Sequence, residues 1–169
     1  MSRGFVKEDD LEHAGTDVPE RQISAEINYV TTNGYRLLEQ QANALEKQRK
    51  VFNDKKDDQQ AQQQLAVINR DLRYVAARLE SAQVIKPSAT KPDATSNVLF
   101  GAAVTVKDEN GAKHSYQIVG EDEADIKANK VSWTSPLAKA LIGQKIGETV
   151  IWNRPAGNAV LEIINIEYK

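Results

Sequence analysis

The sequence contains no cysteine. That removes disulfides, thiolate-bound zinc and a cysteine nucleophile from consideration. It has only two histidines, His13 and His114. Neither has a second histidine or a carboxylate at ligand spacing, so both read as surface residues rather than metal ligands. Ser115 has no partner that suggests a catalytic triad. Charge of either sign is not in excess: 22 Lys and Arg stand against 24 Asp and Glu, a formal net charge of −2. A free-standing nucleic-acid binder would normally carry a basic surplus. No stretch approaches the apolar length that spans a bilayer. The opening Met1-Ser2-Arg3-Gly4-Phe5 runs into acidic residues with no apolar core, which does not read as a secretory leader. A cytoplasmic protein without a membrane partner is therefore expected, and 169 residues suffice for one ordinary domain or two small ones.

What is present falls into four stretches. Residues 1–27 are polar and acidic, with Glu8, Asp9, Asp10, Glu12, Asp17 and Glu20 against Arg3, Lys7 and Arg21. They predict an extended arm, mobile unless it docks on the rest of the chain. Residues 28–85 predict an antiparallel helical hairpin. Thr31 or Thr32 can cap its first helix. Apolar residues then follow at Tyr35, Leu38, Ala42, Leu45 and Phe52, and again at Ala61, Leu65, Ile68, Leu72, Val75 and Leu79. These steps of three and four place a coiled-coil seam on each arm. The turn lies near Asn53–Asp58, which has no apolar residue. Arms of about 20 residues would reach roughly 30 Å.

Residues 86–97, rich in Pro, Ser and Thr, read as a linker. Residues 98–169 then change texture. Ala103–Val106 and Ser115–Val119 flank the turn signal Asn110-Gly111. Further strands are expected at Asn129–Trp133, Glu148–Asn153 and Val160–Glu167. Ser135-Pro136 opens a short helix that stops at Gly143. The fold class expected is α+β: a helical hairpin followed by a small antiparallel sheet domain with one helix. A projecting coil on a compact anchor suits a probe that reaches into another assembly better than an enzyme with its own cleft.

Several separate motifs, in order, carry a family resemblance. They are Tyr29-Val30-Thr31 with Gly34; Leu79-Glu80-Ser81-Ala82-Gln83-Val84-Ile85; Val119-Gly120-Glu121-Asp122-Glu123-Ala124-Asp125; Ser135-Pro136-Leu137-Ala138-Lys139-Ala140-Leu141-Ile142-Gly143; Pro155-Ala156-Gly157; and Glu167-Tyr168. The chain resembles the GreA/GreB family of bacterial transcript-cleavage factors over residues 29–169, the coil tip excepted. The resemblance implies an FKBP-like C-terminal domain that docks on the rim of the secondary channel of RNA polymerase. It also implies a coil that enters the channel. Acidic residues at the coil tip then help hold Mg²⁺ in the polymerase's own active site, which hydrolyses the 3′ end of a backtracked nascent RNA. Two-metal phosphodiester chemistry wants a second divalent ion, and carboxylates are its natural ligands.

On this resemblance the chain is not itself an enzyme, and a monomer is expected. No cofactor would be stably bound, the Mg²⁺ being shared with polymerase. Thr134, Ser135 and Pro136 carry over as polymerase contacts, although the family often has an acidic residue where Thr134 stands. The hairpin departs from the pattern: it is some turns shorter and lacks the family's Asp…Glu-Asn-Ala-Glu-Tyr-type tip. The turn instead offers Asp54, Asp57 and Asp58 as metal candidates, interleaved with Lys55 and Lys56. The shorter arms leave open a channel-binding regulator without cleavage activity. A structural coiled-coil adaptor is the reading from a different class.

Other groups have plainer explanations. Ser135 and Pro136 would also serve simply as helix cap and first helical residue. Glu121, Asp122, Glu123 and Asp125 read as a solvated acidic loop. Arg49, Lys50, Arg70, Arg73 and Arg78 read as a solubilising helix surface, although in the family basic coil residues help hold the RNA 3′ end. Prolyl isomerase activity would need an aromatic-lined pocket, and the spacing of Phe100, Tyr116, Trp133, Trp152 and Tyr168 does not single one out.

Overall fold

The computed structural model describes residues 18–169. Residues 1–17, and with them His13 and most of the acidic arm, lie outside the described residues. Residues 18–27 contain no helix or strand. Two units divide the chain: one holds Leu38–Glu80 with the segment ending at Ser24, the other Ala25–Leu37 and Ser81–Lys169. The first residues of the first hairpin helix, up to Leu37, therefore group with the sheet.

The first unit is built on helix α1, Thr32–Asn53, and helix α2, Gln59–Ser81. Five residues, Asp54–Asp58, turn the chain between them. Ala42, Glu46 and Arg49 of α1 line one groove together with Asn69, Leu72, Arg73, Ala76 and Leu79 of α2, so the arms run antiparallel. The heptad seam is the buried face. Leu38 is buried on α1, and Ala61, Ile68 and Val75 repeat at intervals of seven on α2. On α1 Leu45, one heptad after Leu38, is half-buried; on α2 Leu65 and Leu72, at the alternate seam positions, are half-buried where Ala61, Ile68 and Val75 are buried. A lone pair of helices can shield only one line of side chains completely, which accounts for the difference.

The second unit is a five-stranded sheet, formed by β3 (Ala102–Lys107), β4 (Lys113–Val119), β5 (Lys130–Ser132), β6 (Thr149–Trp152) and β7 (Ala159–Tyr168), in the order β5-β4-β3-β7-β6. Three pairings are antiparallel, as expected; β5 pairs parallel to β4, which makes the sheet mixed. Helix α3, Pro136–Leu141, packs Leu137, Ala138 and Leu141 into a core with Val98, Val104, Val106, Ile118, Val150, Leu161, Ile163 and Ile166. The β7 alternation breaks at its centre: Leu161 and Ile163 are buried, then Ile166. A register shift opposite Thr105 and Val106 makes Ile164 the extra residue, and a bulge of this kind bends a sheet while keeping both halves of a strand facing the core.

The β3–β4 loop spans Asp108–Ala112. Gly111 takes φ +82 there, a conformation that glycine adopts without strain. Asp108 accepts from the Asn110 and Ala112 amides, and His114 Nε2 lies 2.9 Å from Asp108 Oδ2. That contact, above all, holds the Asp108 carboxyl below its usual range. His114 thus has a carboxylate partner across the hairpin turn, which spacing along the chain had hidden.

A two-stranded parallel pair, β1 (Tyr29–Val30) with β2 (Gln83–Val84), completes the second unit. It ties together the chain entering α1 and the chain leaving α2.

The seam yields the first prediction. Ile68→Ala removes a side chain that is 5% exposed and should destabilise the hairpin by about 2–5 kcal/mol. Urea unfolding followed by far-ultraviolet circular dichroism measures this; an unchanged midpoint would contradict the packing.

Candidate functional site

Three places carry the chemistry: the tip of the hairpin, the loop before α3 and the root of α1. At the tip, Asp54, Asp57 and Asp58 are all exposed. Asp58 caps α2: its Oδ1 lies 3.0 Å from the Gln60 amide and 3.4 Å from that of Ala61. Serving as acceptor for orphan helix N–H groups is the ordinary work of an N-terminal carboxylate. Asp54 and Asp57 have no hydrogen-bond partner among the described residues. Among those residues no group of three His, Asp or Glu side chains is arranged to hold a metal ion. Lys55 leans back over the Phe52 ring, 5.6 Å from its centroid.

The loop before α3 is built by hydroxyl contacts. Ser132 Oγ lies 2.7 Å from Thr134 Oγ1 and accepts from the Thr134 amide. Ser135, at φ −70 and ψ 154, accepts from the Ala138 amide, and Pro136 occupies the first turn. Ser135 and Pro136 thus form a helix cap. The Pro136 ring is exposed, whereas Thr134 and Ser135 are half-buried. Trp133, just before them, meets Tyr29 edge-on at 5.1 Å. Its indole nitrogen is shielded from solvent and has no acceptor among the described residues.

The root of α1 is organised by Glu123, from the acidic run that sequence places in solvent. Its side chain is 3% exposed. It accepts from Thr31 Oγ1, from Asn33 Nδ2 at 3.0 Å and from Lys130 Nζ at 3.4 Å. A buried carboxylate is tolerated only when saturated by donors or paired with a cation, and here it is both. Thr31 also caps α1 by accepting from the Gly34 amide. The approach is close enough that a Cβ on Gly34 would lie 2.6 Å from Glu123 Oε1, and one on Gly120 2.4 Å from the Tyr29 carbonyl oxygen. Sequence reasoning missed Glu123 because two of its three donors, Thr31 and Asn33, lie about ninety residues earlier. The available signal was Thr31-x-Asn33-Gly34, a capping threonine followed by a glycine that has no reason to sit in a first helical turn unless something presses on it.

Four of the aromatics named from sequence, Phe100, Tyr116, Trp133 and Trp152, fall into two groups. Tyr116 meets Trp152 edge-on at 6.3 Å, with Arg154 over Trp152. Phe100 and Trp133 instead gather round Tyr29.

Residues 92–168 match the family model described as "Transcription elongation factor, GreA/GreB, C-term". The transcription elongation factor GreA of Francisella philomiragia is 41% identical over 110 residues, 64% of this chain and 68% of that protein. The chain belongs to the GreA/GreB family. GreA of Vibrio cholerae is 42% identical over 109 residues, again 64% of this chain and 68% of that protein. GreB of Neisseria meningitidis serogroup B is 42% identical over 101 residues. That match takes in 60% of this chain and 61% of GreB, so this chain spans about three fifths of its length. Among solved structures, Thermus aquaticus Gfh1 covers 85% of this chain at 24% identity with a TM-score of 0.38, taking in 99% of that structure. The GreA/GreB factor of Nitrosomonas europaea covers 83% at 20% identity with a TM-score of 0.39, also taking in 99%.

Glu123→Ala would strip the acceptor from Thr31, Asn33 and Lys130 at once. It should cost about 1–3 kcal/mol, with Glu123→Gln costing less because an amide oxygen still accepts. Chemical denaturation of the two variants beside the parent tests the order. Equal stability of all three would show that the latch carries no stability.

Proposed function

We propose that this chain is a transcription elongation factor that binds core RNA polymerase through its sheet unit and acts on the polymerase active site through its hairpin. The observation that carries it is the 41–42% identity to GreA and GreB elongation factors. Docking is assigned to Thr134, Ser135 and Pro136. Ser135 and Thr134 hold the loop's shape, and the exposed Pro136 ring offers a rigid apolar contact. The hairpin then enters the secondary channel and meets the 3′ end of the nascent RNA. There it stimulates hydrolysis of backtracked RNA by the polymerase's own catalytic centre. Asp54 and Asp57 are the tip carboxylates assigned to that role, because Asp58 is occupied as a helix cap. A hairpin that acts on another protein's active site has no need of a catalytic group of its own.

One observation favours a second reading. The tip gathers no three-carboxylate group, and Lys55 and Lys56 sit among its acids. A factor of this kind would occupy the channel and alter initiation or elongation without promoting cleavage.

Backtracked elongation complexes, stalled on a template, separate the two. On the first reading the parent chain shortens the RNA from its 3′ end. Asp54→Asn with Asp57→Asn then lowers the rate about tenfold or more, because amides are poor substitutes for charged oxygens in divalent-ion chemistry. Binding should persist. Pro136→Glu should weaken polymerase binding while leaving the hairpin's helical signal intact. A parent chain that competes with GreA for core polymerase yet releases no RNA fragment would establish the second reading. A chain that does not bind core polymerase would end both.

A further inference from the structure

Residues 86–97 form a strap beside an open cavity of about 580 Å³ that lies wholly within the second unit. The strap is tied at its two ends: the Ile85 amide donates to the Val30 carbonyl and the Val98 amide to that of Gln144. From Lys86 to Ser96 its hydrogen bonds among the described residues join it only to itself. Tyr29, Phe100 and Tyr168 line the cavity together with Leu99, which is 57% exposed. Lys86 and Lys91 line it from the strap, and neither has an ion-pair partner among the described residues. The Leu99 amide donates to the Tyr168 phenol oxygen, and burial above all pushes that phenol above its usual range. The hydroxyl therefore keeps its proton, which has no acceptor among the described residues. Asp93 is the one carboxylate in the lining. It is already engaged by the Thr95 amide at 2.8 Å, Thr95 Oγ1 at 2.6 Å and Ser96 Oγ at 3.3 Å. Those bonds, the Thr95 hydroxyl first, hold it below the usual carboxylate range.

The cavity thus joins aromatic walls to donors that lack acceptors. Its size falls inside the range of small-molecule sites, roughly 300–1,000 Å³. A neutral apolar guest would leave the two ammonium groups and the phenol proton unmatched. A small inorganic anion would leave the rings and Leu99 in water. A cation would meet two like charges. We propose that this cavity is a binding site for a small organic anion carrying an aromatic ring, the ring against Tyr29, Phe100 and Tyr168 and the anionic group on Lys86 and Lys91. Aromatic faces and edges accept a further ring in stacked or edge-on geometry. The lysine ammonium is a compact charge on a flexible stem, so it meets an oxyanion without a fixed approach angle. A strap tied only at its ends gives the guest a way in, and it carries both lysines over the bound anion. The inference stands apart from the reading of the chain as an elongation factor, and its test needs no polymerase.

The test is a fluorescence titration of the full chain with two probes. Anilinonaphthalene sulfonate is an aromatic anion that brightens in apolar surroundings; phenylnaphthylamine is the same skeleton without the sulfonate. The parent should bind the sulfonate saturably and the neutral compound about tenfold more weakly, the difference expected from two partly screened charge contacts. Lys86→Gln with Lys91→Gln should remove that difference and leave binding of the neutral compound unchanged. Lys127→Gln with Lys139→Gln, the same charge change at exposed positions outside the cavity lining, should keep the parental affinity. Leu99→Glu places a carboxylate at an exposed position of the cavity and should abolish sulfonate binding, with the circular dichroism spectrum of the parent retained. The lysine variants alter only exposed side chains, so they decide the matter even if Leu99→Glu fails to fold. The proposal is overturned if the parent shows no saturable binding, if the neutral compound binds as tightly as the sulfonate, or if the two lysine pairs have equal effects. Parental affinity in a folded Leu99→Glu would overturn it as well.

Discussion

The Glu123 carboxylate is the constraint on which the root of the hairpin depends. A charge withdrawn from water costs several kcal/mol unless donors and a counter-ion replace the solvent. Thr31, Asn33 and Lys130 supply them. The arrangement admits no Cβ on Gly34 and none on Gly120, so two glycines and one glutamate act as a single unit. Beside it, the Gln83 amide donates to the Asn28 carbonyl and the Ile85 amide to that of Val30. The entry to α1 and the exit from α2 are thereby stitched into one piece of sheet. Helix α1 starts where it does because Thr31 caps it while Glu123 holds Thr31.

Parts of this were open to reading from the chain alone, for identifiable reasons. The heptad of Ala61, Ile68 and Val75 is a local pattern, repeated often enough to specify both the helix and its buried face. Ser135-Pro136 likewise declares a helix start within three residues. Both are short-range signals, and the structure honours them. The antiparallel expectation for the sheet failed only at β5, whose parallel pairing with β4 depends on the route taken by Glu121–Asn129 rather than on any alternation. The Ile164 bulge is visible only once Ile166, and not Asn165, is found inside. Glu123 looked like one acid among four in a loop, because its partners are remote in sequence. His114 looked isolated because its carboxylate lies across a turn.

The candidate functional groups divide along the same line. Pro136 and the tip aspartates sit on exposed, locally determined turns, so their positions were legible although their roles are assigned through family likeness. The tip carboxylates are not equivalent, since the cap on α2 engages Asp58 and leaves Asp54 and Asp57 facing solvent. The contacts of Glu20 with Arg73 and of Arg21 with Tyr74 were not legible: they join residues more than fifty positions apart, and composition alone left open whether the acidic arm docks at all. Of the basic residues that seemed merely solubilising, Arg73 is engaged by Glu20 and Arg78 is buried at 2% exposure.

The central claim is that the hairpin tip works at the catalytic centre of RNA polymerase. Because the chain has no cysteine, Lys56→Cys provides one attachment point at the tip for an iron chelate that cleaves nearby backbone by hydroxyl radicals. In complex with core polymerase, the account predicts cuts in the polymerase segments that carry its catalytic metal ligands. Cuts confined to the outer surface of polymerase would contradict it.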